Sequence, residues 1–287
     1  MPSFKLGICE WAFPMPGPYA VKTAAQYGLS GIELDFGSYE KSYPLSVPAV
    51  QRAYLEMAAE YGLEFPSMTV DSLNRWGLTH PLTTRAGALA FDGVRRGIDA
   101  AAAMGIPVVQ LPSFNDGAIH SEEDFRCTCE KIKMACEIAR PMGITIASEN
   151  VLSVKDTLRM VREIGYDNFR IMFDTQNYYL ADGRDEAALL REIHPYVVQV
   201  HLKDGYNGNL SGSILGTGES GFFRTAAALR DTCCTEWLLL ENYYHTQPLS
   251  QLGDPFSLLE KDLAAVREVF DIRKPSGPIL RKAGEEG

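Results

Sequence analysis

The sequence predicts a single-domain α/β protein, a (β/α)8 TIM barrel, from three observations. The chain has 287 residues, a length that α/β barrels often use for one domain. Short runs rich in β-forming residues alternate eight times with longer amphipathic segments, with no linker-like stretch between them. The runs are continuously apolar, as expected of parallel strands covered on both faces. A doubly wound open sheet is the alternative that this pattern leaves open.

The strands and helices follow one another in regular order along the chain. The predicted strands lie at 4–9, 30–36, 64–70, 107–113, 144–150, 170–175, 196–203 and 236–242. The predicted helices lie at 17–27, 48–61, 84–104, 121–141, 153–165, 185–194, 222–232 and 256–270. We place the barrel at residues 1–270 and a Pro-, Gly- and charge-rich tail at 271–287.

Several of the helical segments carry residues that are typical of helix ends. Ser121 with Asp124, and Ser153 with Asp156, fit the capping-box pattern, in which a side chain satisfies free backbone N–H groups. Glycines stand where five helices should end, at positions 28, 62, 105, 143 and 165. These signals support helices of ordinary length between the strands.

The composition limits which partners and which cellular compartment are expected for this protein. The net charge is −10, which argues against a nucleic-acid partner, since the phosphate backbone attracts a basic face. The N-terminal residues have no secretion-signal pattern, and the most apolar region, 98–111, is interrupted by Asp99 and Pro107. The six cysteines form no CxxC pair and are typical of reduced thiols. We therefore expect a cytoplasmic protein with neither a membrane nor a nucleic-acid partner.

Ligand-capable residues stand at the ends of four consecutive predicted strands. These residues are Glu149, Asp174, His201 and Glu241. In a barrel the carboxyl ends of the strands meet at one mouth, so we expect the four side chains to lie together. Two like charges about 4 Å apart repel by roughly 4 kcal/mol at an effective dielectric constant near 20. Three carboxylates at one mouth must therefore take up protons or hold a cation.

The ligand types narrow the choice of cation. A site made mostly of oxygen atoms with one nitrogen favours Mn²⁺, with Mg²⁺, Co²⁺ and Zn²⁺ as alternatives. The residue set predicts a divalent metal centre at the barrel mouth.

The motifs around these residues resemble a known family. IASEN (146–150), FDTQN (173–177), HLKD (201–204) and LLLEN (238–242) are similar to the strand ends of the xylose-isomerase-like TIM barrels, which include sugar and sugar-phosphate isomerases and epimerases. The likeness covers nearly the whole barrel. LGICEWAFP, GIELDF and the glycine-rich segment after the seventh strand resemble most the L-ribulose/L-xylulose-5-phosphate 3-epimerase branch.

The resemblance implies a function in carbohydrate metabolism. It implies a metal-dependent isomerase or epimerase of a ketose or ketose phosphate, in which Glu149 and Glu241 are both ligands and the acid–base pair, and Asp174 and His201 are ligands. A metal that chelates a ketose carbonyl and its neighbouring hydroxyl acidifies the adjacent C–H group. Returning the proton from the opposite face of the enediolate gives the epimer. We expect 3-epimerisation, with 1,2-isomerisation left open.

Substrate contacts are expected from the loops around the mouth. The candidate residues are Glu10, Arg75, Asn177, Lys203, Asn207 and His245. Arg75 is the candidate phosphate contact, since guanidinium groups suit oxyanions. The free-ketose 3-epimerases carry a histidine where Asn177 stands and an arginine where Asn207 stands. Both differences weaken a free-ketose assignment.

Other functions remain open at this point. An endonuclease-IV-like hydrolase would need a histidine-rich cluster, whereas only His201 of the five histidines ends a strand. Inosose dehydratase or hydroxypyruvate isomerase chemistry and a non-catalytic sugar-binding barrel are further alternatives. GTGESG (216–221) fits a turn that orders a loop better than a dinucleotide site, because no strand precedes it. The oligomeric state is open, with 53–62 and the tail as candidate contact surfaces for a homo-oligomer.

Overall fold

The computed structural model describes residues 4–273 and shows a closed barrel of eight parallel strands. The strands are β1 Lys5–Cys9, β2 Gly31–Asp35, β3 Met68–Thr69, β4 Val108–Pro112, β5 Thr145–Glu149, β6 Phe169–Asp174, β7 Val197–Leu202 and β8 Trp237–Leu240. They pair in chain order, and β8 pairs with β1 to close the ring. The predicted (β/α)8 barrel is confirmed, and the open-sheet alternative is wrong.

Nine α-helices are present in the described part of the chain. They are α1 Tyr19–Gln26, α2 Pro48–Tyr61, α3 Arg85–Met104, α4 Glu122–Ala139, α5 Val154–Ile164, α6 Asn177–Asp182, α7 Glu186–Ile193, α8 Phe222–Thr232 and α9 Pro255–Phe270. The short helix α6 was not predicted. Residues 274–287 of the predicted tail lie outside the described residues, so the division at residue 270 stays a prediction.

The predicted helix signals have local physical causes in the structure. Ser121 and Asp124 form the reciprocal capping box at the start of α4. Ser153 also caps α5, but the Asp156 carboxylate accepts from the Ser153 hydroxyl. Gly105 ends α3 with φ +68°, a left-handed conformation that glycine adopts without steric cost.

Strand β3 is much shorter than the predicted run 64–70. Only Met68 and Thr69 join the ladder, and Glu64 forms an isolated bridge with Gly31. Pro66 stands between these two pairings and has no N–H group to donate, so the ladder is interrupted there. Strand β3 is therefore the shortest strand of the barrel, and the loop after it forms part of the mouth.

The loop that follows β7 is ordered by a buried carboxylate. Asp204 accepts hydrogen bonds from the backbone N–H groups of Gly205, Gly216 and Gly218 and from the Ser220 hydroxyl. A Cβ at Gly218 would lie 2.3 Å from Asp204 Oδ1, so only glycine fits this position. The glycine-rich GTGESG segment is thus a turn that packs on Asp204.

The described residues have two further general properties. Within residues 4–273, no helix combines the length and the apolar character that crossing a bilayer requires. All six cysteines lie in this part of the chain and are free thiols, as expected from their spacing. Four of them are buried, which leaves Cys233 exposed and Cys234 half-buried.

Candidate metal centre and substrate cavity

Four buried side chains converge at the mouth of the barrel. We call Glu149, Asp174, His201 and Glu241 the mouth cluster. Each offers one ligand-capable atom, and these atoms all lie within 4.8 Å of one another. Glu149 and Asp174 are the last residues of β5 and β6, His201 pairs in register with Asp174, and Glu241 directly follows β8. The parallel register thus brings together residues that are far apart in the chain.

Two atoms of the mouth cluster indicate that it suits a cation. His201 Nδ1 is buried and has no hydrogen-bond partner, and the buried Asp174 Oδ2 has none beyond its ion pair with Lys203. His201 Nδ1 lies 3.0 Å from Glu241 Oε2 and 3.6 Å from Glu149 Oε1. Buried polar atoms without partners are costly. A cation bound to three carboxylates and one imidazole nitrogen would satisfy these atoms, so the residues present fit a divalent ion.

The charge around the mouth cluster leads to the same expectation. Four carboxylates, three in the cluster plus Glu33, face one ammonium group, that of Lys203. Lys203 Nζ lies 2.7 Å from Glu241 Oε2 and 3.2 Å from Asp174 Oδ2. Three formal negative charges remain when His201 is neutral. A divalent cation would leave one, at a site where burial makes unpaired charge expensive.

The pKa shifts of the cluster indicate which of its groups would be protonated when no cation is bound. Burial raises the pKa of Asp174 to about 7, despite the opposing effect of Lys203. Burial also raises the pKa of Glu241, but the charges of Lys203 and His201 outweigh it and hold this pKa below its usual range. The pKa of His201 is raised as well, so without a cation the cluster tends to take up protons on both His201 and Asp174.

Each member of the mouth cluster is held by specific donors or acceptors. Gln110 Nε2 and Asn177 Nδ2 donate to Glu149, and Trp11 Nε1 donates to Glu241 Oε1 at 2.9 Å. The backbone N–H groups of Gln176 and Asn177 donate to Asp174 Oδ1 at 2.7 and 2.6 Å.

The fourth member, His201, is held from inside the barrel. Its Nε2 lies 2.6 Å from Glu33 Oε2. Sequence reasoning missed Glu33 and Gln110 as site residues, although a charged or amide side chain inside an apolar run such as GIELDF or PVVQLPS is a usable signal.

A cavity of about 250 Å³ opens beside the mouth cluster. It is lined by Trp11, Thr69, Asp71, Asn74, Gln110, Pro112, Phe114, Asn115, Glu149, Asn177, Lys203, Leu210, Glu241 and Tyr243. The lining mixes aromatic faces with acceptors and amides, as expected of a site for a small polar molecule. Of the predicted substrate contacts, Asn177 and Lys203 line this cavity.

The other predicted substrate contacts lie outside the cavity lining. Glu10 already accepts from the Tyr54 hydroxyl and from the backbone N–H groups of Gly17 and Asp35. Arg75 is exposed, and its Nε lies 2.9 Å from Glu40 Oε1. Asn207 and His245 are also exposed. The structure therefore does not bring these four side chains to the site, and their roles stay predictions.

The fold and the site define a TIM barrel with buried ionisable groups at the carboxyl ends of its strands. Residues 21–269 match the model of the xylose isomerase-like TIM barrel family. The chain belongs to this family, and the predicted resemblance is confirmed at that level.

Comparisons with individual proteins agree with the family. The chain is 34% identical over 242 residues to a 2-epi-5-epi-valiolone 7-phosphate 2-epimerase of Actinoplanes sp., covering 84% of this chain and 87% of the relative. The chain is an enzyme of the isomerase and epimerase class.

Solved structures share the fold at low sequence identity. A D-allulose 3-epimerase from Methylomonas sp. in complex with D-allulose has a TM-score of 0.74 and 18% identity, covering 93% of this chain and 98% of that one. An IOLI protein with a bound zinc atom has a TM-score of 0.73 and 13% identity, covering 93% and 98%. Likeness at these identities is a likeness of fold.

Proposed function

We propose that this protein is a divalent-metal-dependent epimerase of a ketose or ketose phosphate. The observation that carries the proposal is the meeting of two glutamates, Glu149 and Glu241, in one buried cluster that also borders the cavity. The mouth cluster is proposed to hold the ion, with Mn²⁺ as the first candidate on the basis of its oxygen-rich donor set. The 34% identical epimerase supports the reaction class.

The proposed chemistry is a proton transfer at the carbon next to a carbonyl. The bound ion would polarise the carbonyl and so acidify the adjacent C–H group. One glutamate removes the proton to give an enediolate, and the other returns a proton from the opposite face. Because Glu149 and Glu241 both border the cavity, they are the proposed pair, and inversion at carbon 3 is the proposed outcome for a ketose.

The hydrogen bonds around the two glutamates support this role. Gln110 and Asn177 hold Glu149, while Trp11, Tyr243 and Lys203 hold Glu241. A general base must keep its oxygen within reach of the proton that it removes, and fixed carboxylates meet that need. Lys203 also offsets the charge that would build up on a substrate oxygen nearby.

The substrate is proposed to be a small polyhydroxy ketone, phosphorylated or free. Among residues 4–273, the one ammonium group that lines the cavity is that of Lys203, which is already paired with Asp174 and Glu241. A phosphate would therefore extend from the cavity toward its rim. The free thiols fit the proposed cytoplasmic location, where cysteines stay reduced.

The experiment that tests the proposal has two stages. The metal content of the purified protein is measured first. The bound metal is then removed with a chelator, and Mn²⁺, Mg²⁺, Co²⁺ or Zn²⁺ is added back. The restored protein is incubated in D₂O with a panel of ketoses and ketose phosphates, and deuterium at the carbon next to the carbonyl is followed by NMR. Exchange with inversion at that carbon, lost on chelation, is the expected result. A bound ion without exchange into any ketone of the panel would refute the enzymatic proposal and favour a sugar-binding barrel.

A further inference from the structure

Glu33 is a buried carboxylate that neither lines the cavity nor belongs to the mouth cluster. It stands in the middle of β2, is fully buried, and contacts His201 on β7 through the interior of the barrel. Its Oε2 lies 2.6 Å from His201 Nε2 and 3.5 Å from the Cys9 thiol. Within residues 4–273, no lysine or arginine forms an ion pair with Glu33, so its main polar partner is the imidazole ring.

The contact with Glu33 determines which imidazole nitrogen carries hydrogen. A carboxylate only accepts hydrogen bonds, so the 2.6 Å contact requires the proton to be on Nε2. A neutral imidazole has a single N–H group, so Nδ1 then presents a lone pair. This nitrogen is the atom of His201 that faces Glu149 and Glu241 in the mouth cluster.

The groups around His201 Nδ1 are hydrogen-bond acceptors. A lone pair that lies 3.0 Å from one carboxylate oxygen and 3.6 Å from another has no donor among them. The arrangement becomes favourable when a metal ion, or a second ring proton on Nδ1, lies between the three groups. In metal sites, a ligating histidine commonly donates its other N–H to a carboxylate, which sets the tautomer and the ring orientation.

We propose that Glu33 is a positioning residue that fixes the Nε2–H tautomer and the ring orientation of His201, so that Nδ1 binds the ion. This inference rests on the proposed metal-dependent function. It adds a residue of the first half of the barrel to a site whose ligands all come from the second half. Glu33 itself makes no contact with substrate in this role.

The first test is metal affinity. Mn²⁺ binding to the full-length protein is measured by titration calorimetry for wild type, Glu33→Gln and Asp35→Asn. Asp35→Asn is the matched control, because Asp35 is on the same strand and its carboxylate accepts from the Gly37 backbone N–H. Loss of an orienting carboxylate typically weakens metal binding about 10–100-fold, and we expect that loss for Glu33→Gln only. Equal affinity of wild type and Glu33→Gln, or equal weakening in the control, would overturn the inference.

The second test determines the tautomer in the unaltered protein and uses a variant only to assign the signals. The ¹⁵N-histidine NMR spectrum of the Zn²⁺-loaded protein distinguishes a protonated ring nitrogen from a metal-bound one. With five histidines in the chain, comparison with His201→Asn identifies the His201 signals. We expect a protonated Nε2 and a metal-bound Nδ1. Metal bound to Nε2, or a proton on Nδ1, would overturn the inference.

The two proposals fail in distinguishable ways. Wild-type protein that binds none of the four divalent ions would refute the proposed function and this inference together. Wild-type protein that binds Mn²⁺ and exchanges deuterium into a ketose, but shows no dependence on Glu33, would refute the positioning role alone.

Discussion

The two halves of the barrel contribute different groups to the same mouth. Strands β5–β8 supply the mouth cluster, whereas the first half supplies three side chains that contact its members. These side chains are Trp11 after β1, Glu33 on β2 and Gln110 on β4. Two of these contacts lie at the seams between the halves, β1–β8 and β4–β5, and the third crosses the interior. Several groups that hold the proposed metal ligands and proton-transfer residues are thus far from them in sequence, while others, such as Asn177 and Tyr243, come from the same half.

The largest effect on the rate of deuterium exchange is expected from a substitution in the second half of the barrel. Glu149→Gln removes a proposed base and a ligand charge while keeping the side-chain shape, so the rate of deuterium exchange should fall by about 10²–10⁴-fold. Exchange rate and bound metal are measured on the same samples. Glu123→Gln, an exposed position on α4, is the control and should retain full activity. Full exchange by Glu149→Gln would remove this residue from the mechanism.

A substitution in the first half of the barrel should have an intermediate effect on activity and metal affinity. Gln110→Ala removes one of the two side-chain donors to Glu149, and the loss of such a supporting contact commonly costs about 10–100-fold in activity or metal affinity. Gln199→Ala is a matched control, because Gln199 is an equally buried strand amide that donates to the Pro66 carbonyl. The activities and metal affinities of the two variants are compared at equal folded fraction. Equal losses in both would mean that the contact between Gln110 and Glu149 makes no specific contribution.

A third prediction concerns a buried carboxylate of the second half that lies outside the mouth. Glu186 on α7 accepts from the Tyr179 backbone N–H through Oε1, while its Oε2 has no partner. Burial raises its pKa to about 9. The folded state therefore keeps a proton that the unfolded chain loses above its ordinary pKa of about 4.3. This carboxylate takes up a proton, whereas the mouth cluster is proposed to hold an ion.

This retained proton makes stability depend on pH. Between pH 5 and 9, one extra bound proton lowers the free energy of unfolding by up to about 1.4 kcal/mol per pH unit as the pH rises. Glu186→Gln should therefore lose less stability than wild type over this interval in urea unfolding at several pH values. Glu192→Gln, exposed on the same helix, should follow wild type. Parallel pH profiles for wild type and Glu186→Gln would contradict the prediction.

The smallest effect is expected at the exposed loop position Arg75. Its guanidinium group pairs with Glu40, and its side chain is 69% exposed, so Arg75→Ala should change kcat/KM for free ketoses by less than about twofold. The same variant is then measured with ketose phosphates. A loss of tenfold or more with phosphates alone would place the phosphate at the rim beside Arg75, as the sequence first indicated.

Much of the architecture and the mouth cluster could be predicted from the sequence. Continuous apolar runs and helix-ending glycines such as Gly105 indicate local structure directly, and strand ends meet in any barrel. The supporting residues could not be found in this way. Glu33 and His201 are 168 residues apart, and no pattern of spacing links them. Glu10 shows the limit of strand-end position as a signal, since it directly follows β1 but accepts a hydrogen bond from Tyr54 and does not line the cavity.

Closure of the ring between β1 and β8 brings the first and last strands of the chain side by side. A circularly permuted chain, in which a linker joins residue 273 to residue 4 and the exposed turn 140–143 is opened, would be synthesised with the second half first. The finished barrel would contain the same seams and the same contacts. We therefore expect that the order in which the two halves leave the ribosome can be reversed without changing the finished site.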